Sequence, residues 1–161
     1  MKKFVALLLA VLMVASLCAC GQKDTGSDLQ TVTKGKLIMS TNAEFAPYEY
    51  VADDGKGFQG TGYEGIDIEI AYALAQKLGL ELVVDNMDFD AALSAVQTGK
   101  SDMVAAGVTV TPDRLNAMSF TDSYANGVQV VIVKEGSDIK SIDDLQGKKI
   151  GTQRGLSLIH I

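Results

Sequence analysis

The stretch AAGVTVTPDR, Ala105 to Arg114, collects residue types suited to holding an anion. Gly107 lets a ligand approach the backbone, Thr109 offers a hydroxyl, and Thr111 followed by Pro112 reads as an N-cap and first helical residue. Arg114 then falls in the first turn of a short helix, where a cation opposes the helix dipole. That placement makes sense for an arriving carboxylate, which would accept the guanidinium fork and nearby N–H groups together. A surface pairing of Arg114 with Asp113 or Asp122 accounts for the same residue types. Upstream, EFAPYEY crowds Phe45, Tyr48 and Tyr50 around Pro47. Such a cluster serves as core packing or, at the end of a strand, as a wall closing over an apolar or cationic side chain. Asn42 and Glu44 are the polar candidates beside it. His160 is the only histidine, and one imidazole makes neither a metal site nor a catalytic one. No metal, cofactor or catalytic residue is expected.

The elements that must position these residues follow from pattern. KLIMST, from Lys36, reads as a buried strand delivering Asn42 to a loop, and DDGKGFQGTG as a turn. From Asp67 the period becomes helical, with Ile70, Leu74 and Leu78 at steps of four and Ala71 and Ala75 beside them. Asp67 is the expected N-cap and Gly79 the C-terminal stop. LELVVDN reads as a strand, DFDAALSAVQTGK as a helix with Phe89, Leu93 and Val96 on one face, and DMVAAG as a third strand. Strands alternating with helices through short connections predict an α/β fold with a mostly parallel sheet. Ligands bind such sheets at the strand ends, where AAGVTVTPDR lies. ANGVQVVIV reads as another strand, and SIDDLQGKKIGT as a short helix leading into one more, as though a second α/β unit were starting.

The 161 residues carry 20 acidic against 14 basic side chains, a net charge of −6 that argues against a nucleic-acid partner. Hydrophobic residues make up 47%, as in a globular chain, but part of that share is one N-terminal block. MKKFVALLLAVLMVASLCAC has two lysines and then an apolar run too short for a comfortable membrane span, the pattern of a secretory signal peptide. Its end, LCAC, resembles the lipobox of bacterial lipoproteins, which implies cleavage after residue 19 and diacylglycerol on Cys20. Acyl chains would then hold the protein at the membrane without a transmembrane helix. Residues 20–35 are polar and small, and read as a flexible tether. With Cys18 in the leader and Cys20 acylated, no disulfide framework is expected.

TNAEFAPYEY, GYEGIDIEIAYALAQKLG, DFDAALSAVQTGKSDMVAAGVTVTPDRLNAMSFTDSY and SIDDLQGKKIGTQRG, in that order, resemble the extracytoplasmic amino-acid-binding proteins of ABC importers, the polar amino-acid branch of bacterial solute-binding family three. The resemblance implies a bilobal periplasmic-binding-protein-like fold of type II, with the first lobe at 36–126 nearly complete and the hinge strand and start of a second lobe at 127–155. It implies one amino acid in the cleft, an ABC permease with its ATPase as partner, a monomer, and no chemistry on the ligand. The implied first-lobe contacts are Asn42, Phe45, Phe89, Ala106, Gly107, Thr109 and Arg114. Arg114, Thr109 and the Gly107 backbone take the α-carboxylate, and Phe45 and Phe89 flank the side chain. Asn42 stands where many family members have aspartate, with Glu44 as a partial substitute. Gln153 falls where the family presents a Lys or Gln, and Gly155 opens the loop that completes the carboxylate site.

After Gly155 the family pattern stops. LSLIHI, residues 156–161, matches one reading frame of the mosaic end of a common transposase sequencing adapter, and is expected to be adapter-derived on a truncated gene. A lone first lobe is expected to bind weakly, because a clamp gains affinity and closure from both lobes. The literal chain is expected to be poorly stable or aggregation-prone, because the strand around Val128 to Val133 would have unpaired edges. A dehydratase acting on prephenate-type acids shares the architecture, as do input domains of sensors and lytic enzymes. Thr, Gly, Ala, Phe and Arg suit holding more than proton transfer, with Glu44 the one carboxylate that bears on this. A polar or basic amino acid, such as glutamine, arginine or cystine, is the expected ligand.

Overall fold

The computed structural model describes residues 29–153. The expected leader, Cys20, the first part of the tether, Gly155 and the 156–161 tail all lie outside the described residues. From Thr31 onward the described chain belongs to one compact unit. Its first strand, β1 (Lys36–Thr41), is central, with β5 (Glu81–Asn86) on one side and β6 (Met103–Val104) on the other, all parallel. Met39 sits opposite both Val84 and Met103. Helix α1 (Ile66–Leu78) connects β1 to β5, and α2 (Phe89–Gln97) connects β5 to β6. This is the expected alternation. Asp102, just before β6, accepts the Val32 and Ile38 N–H groups at 2.7 Å each, tying the chain ahead of β1 to the sheet.

The core gathers Met39, Ile68, Ala71 and Ala105, with Phe58, Leu82, Val84 and Met103 packed around them. Burying a side chain the size of Ile68 or Met39 contributes about 1.5–3 kcal/mol. Ala92 and Ala95 let α2 approach closely enough for the buried Ser40 hydroxyl to bond the Ala92 carbonyl at 3.0 Å and Ser101 at 3.0 Å. Phe89 is buried on this helix, while Leu93 and Val96 are half-buried.

Helix α1 is rotated from the expected face. Asp67, Ile68, Ala71 and Ala75 are buried, while Ile70 and Leu74 remain 39% and 38% exposed. Small residues permit closer approach to the sheet, and the apolar positions of this helix fit either stripe. Nor is Asp67 the N-cap. Gly65 caps at φ 122, and a Cβ there would clash with the Tyr48 carbonyl oxygen. Gly79 ends the helix in the left-handed conformation, as expected.

A second, antiparallel sheet escaped the pattern reading. It consists of β2 (Glu44–Phe45), β3 (Glu49–Val51) and β4 (Tyr63–Glu64), with a cis Ala46–Pro47 bond between the first two strands. After β6, Pro112–Leu115 forms the short helix α3. The expected strands in 125–133 and 147–152 do not form. Val128 and Ile132 are 87% and 94% exposed, and a β-prone run adopts a strand only against a neighbour. The expected short helix is present as a 3₁₀ turn, Ile142–Leu145, whose Asp144 carboxylate accepts the Lys140 and Ser141 N–H groups.

Candidate functional site

The site lies where β1, β5 and β6 end. Thr41 closes β1 by donating its hydroxyl to the Ala105 carbonyl at 2.6 Å, which brings the end of β1 beside Ala105–Gly107. Asn42 is buried here. Its amide donates to the Met87 carbonyl at 3.1 Å, and its carbonyl oxygen accepts from the Gln153 side chain at 3.0 Å. The next N–H, that of Ala43, donates to the Asn86 side chain at 2.8 Å. The two strand ends are thus tied together through asparagine amides.

Phe45, on β2, is 37% exposed and stacks on Tyr48 with ring centroids 5.3 Å apart and planes 12° from parallel. Its ring lies against Gly107. A Cβ at that glycine would stand 2.9 Å from Phe45 Cε1, and its φ of +53° is one that other residues rarely adopt. Ala106 beside it is buried, and Glu44 is exposed on β2.

Thr111 caps α3 as expected, its hydroxyl accepting the Arg114 N–H at 3.4 Å, with Pro112 opening the helix. The Arg114 guanidinium donates from Nη1 to the Thr109 carbonyl at 2.9 Å, and its centre lies 5.4 Å from the Phe89 ring centroid. Burial lowers the Arg114 pKa and the nearby Asp90 charge opposes that, so the group remains a cation. A planar guanidinium lying on an aromatic ring with one edge anchored is suited to a bidentate carboxylate.

The structure therefore groups Arg114 with Thr109 and Phe89, Phe45 with Gly107, and Asn42 with Gln153. One expected contact changes: the Gly107 N–H donates to Asp67 Oδ2 at 2.8 Å, so the group expected to meet a ligand carboxylate is committed to a buried side chain. Sequence reasoning missed Asp67, Glu49 and Tyr124 at this place. The available signal was an acid inside an apolar helical stripe, Asp67 four residues before Ala71. A cavity of about 310 Å³ lined by Pro47, Tyr50, Phe58, Glu64 and Ile66 contains none of the candidate ligand residues. Among the described residues no cluster could hold a metal ion, and no helix is long and apolar enough to cross a membrane.

A parallel α/β lobe with an anchored arginine and an aromatic wall at its strand ends has these groups where open α/β sheets place their ligands. The chain belongs to the bacterial extracellular solute-binding proteins, family 3, whose model matches residues 37–154. It is 38% identical over 155 residues to the arginine-binding extracellular protein ArtP of Bacillus subtilis, covering 96% of this chain and 57% of ArtP. The chain thus spans about half the length of the curated relatives it matches. Among solved structures, an ancestral arginine-binding protein bound to arginine is 41% identical with a TM-score of 0.68, covering 76% of this chain and 52% of that one. The arginine-bound form of domain 1 from TmArgBP is 32% identical with a TM-score of 0.51, covering 56% of this chain and 67% of that one.

Proposed function

We propose that this chain supplies the first-lobe part of the extracytoplasmic amino-acid-binding component of an ABC importer, which captures an amino acid with a polar, preferably cationic side chain and passes it to a membrane permease. The observation that carries this reading is the Arg114 guanidinium, held on Thr109 and lying over the Phe89 ring at the mouth of the parallel sheet. It suits the α-carboxylate common to all amino acids. The stacked Phe45 and Tyr48 rings beside Gly107 suit the face of a guanidinium or the stem of a long side chain. ArtP and the ancestral protein are arginine binders by name, which supports arginine as the first ligand to test. The arginine-bound domain 1 supports a further point, that a related first domain holds its ligand without a partner lobe. Cys20, if acylated, tethers the protein to the outer face of the membrane.

Calorimetry of this chain with L-arginine, L-glutamine, L-histidine and L-cystine tests the reading. Heat of binding with arginine, weaker binding of glutamine and none with D-arginine is the expected pattern. Absence of binding by every L-amino acid overturns it.

A further inference from the structure

Glu49 on β3 and Asp67 in the first turn of α1 are both fully buried, in a protein whose other acids are mostly at the surface. Local geometry forces them together. The Ile66 and Asp67 N–H groups donate to the Pro47 and Tyr48 carbonyls at 3.1 and 2.9 Å, and Gly65 leaves no room for a side chain between the segments. Among the described residues no N–H or O–H donor reaches Glu49 Oε2 or Asp67 Oδ1 until a proton is placed between the two carboxyls. Adjacent buried carboxyls cannot both ionise, so one holds the proton. Glu49 holds it. Burial first, then the hydrogen bond and charge of Asp67, push its pKa up to about 10.

Asp67 is left as the acceptor, and what it accepts is informative. Its Oδ2 takes the Gly107 N–H at 2.8 Å. The Tyr124 hydroxyl lies against the same carboxylate, and burial, then that hydrogen bond, push its pKa up. The Ala106–Gly107 peptide is trans, so fixing its N–H on Asp67 also fixes the Ala106 carbonyl on the opposite edge. One carboxylate therefore sets the orientation of the peptide beneath Phe45.

We propose that Asp67 is a positioning residue for the amino-acid site: with a proton held in common with Glu49, its carboxylate orients the Ala106–Gly107 peptide and so sets ligand affinity without touching the ligand. The proposal rests on the amino-acid-binding reading for its effect on affinity, but not for the geometry itself. The titratable group facing the pair is Tyr124.

The test joins NMR with calorimetry on this chain. At pH 7 the Glu49 carboxyl ¹³C signal is expected at the protonated position and the Gly107 amide is expected to exchange slowly. Glu49→Gln, whose amide donates to Asp67 in place of the acid proton, is expected to hold arginine affinity within about twofold, whereas Asp67→Ala weakens it about tenfold or more and speeds Gly107 exchange. An ionised Glu49, a freely exchanging Gly107, or an Asp67→Ala protein that folds and binds arginine like the parent overturns the proposal. Should Asp67→Ala not fold, the parent NMR signals and Glu49→Gln decide. If the parent binds no amino acid, the functional reading fails while the two NMR signals still judge the acid pair.

Discussion

The Gln153 side-chain amide donates to Asn42 Oδ1 at 3.0 Å, joining positions 111 apart. Both residues were expected at the ligand, and here they bond to each other. Asn42 also donates to the Met87 carbonyl, so its amide is engaged on both sides while buried. Asn42→Ala removes both bonds and leaves a partly buried carbonyl without its donor, a loss of about 1–3 kcal/mol. Gln153→Ala removes one bond but, because Gln153 is exposed, opens Asn42 Oδ1 to water that replaces the lost donor, and is expected to cost less than about 1 kcal/mol. Denaturant unfolding of the two variants checks the order; equal losses would show that the Met87 bond carries no weight.

Arg114 performs two tasks that lysine cannot combine. Its Nη1 donates to the Thr109 carbonyl, and its charge lies over the Phe89 ring. An ammonium is a point charge without a planar face or paired donors. Arg114→Lys is therefore expected to weaken amino-acid binding about tenfold or more, nearly as much as Arg114→Ala, while thermal stability changes little. Calorimetry with arginine reads this directly. A lysine variant that binds like the parent would mean that charge alone suffices.

Local pattern reading worked where one element carries its own signal. The apolar run of KLIMST matches β1, and Thr111–Pro112 marked the start of α3 because cap and ring restrictions are local. It failed where the deciding partner is distant. Asp67 resembles an N-cap in its own neighbourhood, but its partners are Glu49, 18 residues before it, and Gly107, forty residues after. Strands β2 to β4 are two or three residues long, too short for a period to register. Residues 128–133 show the converse case, a strand pattern that among the described residues has no neighbouring strand to turn it into a ladder. Of the site, the residue types were readable from sequence and the pairing of Arg114 with Phe89 was not.

Gly107 is fixed from two sides. Its φ of +53° disfavours any side chain, and the Phe45 ring occupies the space a Cβ would take, at 2.9 and 3.0 Å. Gly107→Ala must strain the backbone and push Phe45 off Tyr48. The expected loss of stability is about 1–3 kcal/mol, accompanied by weaker ligand binding as the aromatic wall moves. A double variant, Gly107→Ala with Phe45→Ala, relieves the contact but not the φ strain and should recover part of the stability. Thermal melts of the three proteins check this, and no recovery would place the whole cost in the backbone.

The Glu49 proton leaves a signature in the pH dependence of folding. Its pKa rises from an ordinary 4.5 to about 10 in the folded protein, so between these values the folded chain keeps a proton the unfolded chain has released. Folding then takes up a proton, and stability falls as pH rises through that window, by at most about 1.4 kcal/mol per pH unit for this one group. Below the ordinary value both states are protonated and the slope vanishes. The lowered carboxyls of Asp54 and Asp144 act with the opposite sign and at the acid end, where stability is lost as pH falls. Glu49→Gln keeps the donor to Asp67 without an ionisable proton, so its unfolding free energy should be flatter from pH 5.5 to 8.5 and exceed the parent's at the alkaline end. Urea unfolding at several pH values measures both curves; parallel curves would show that Glu49 does not carry the proton.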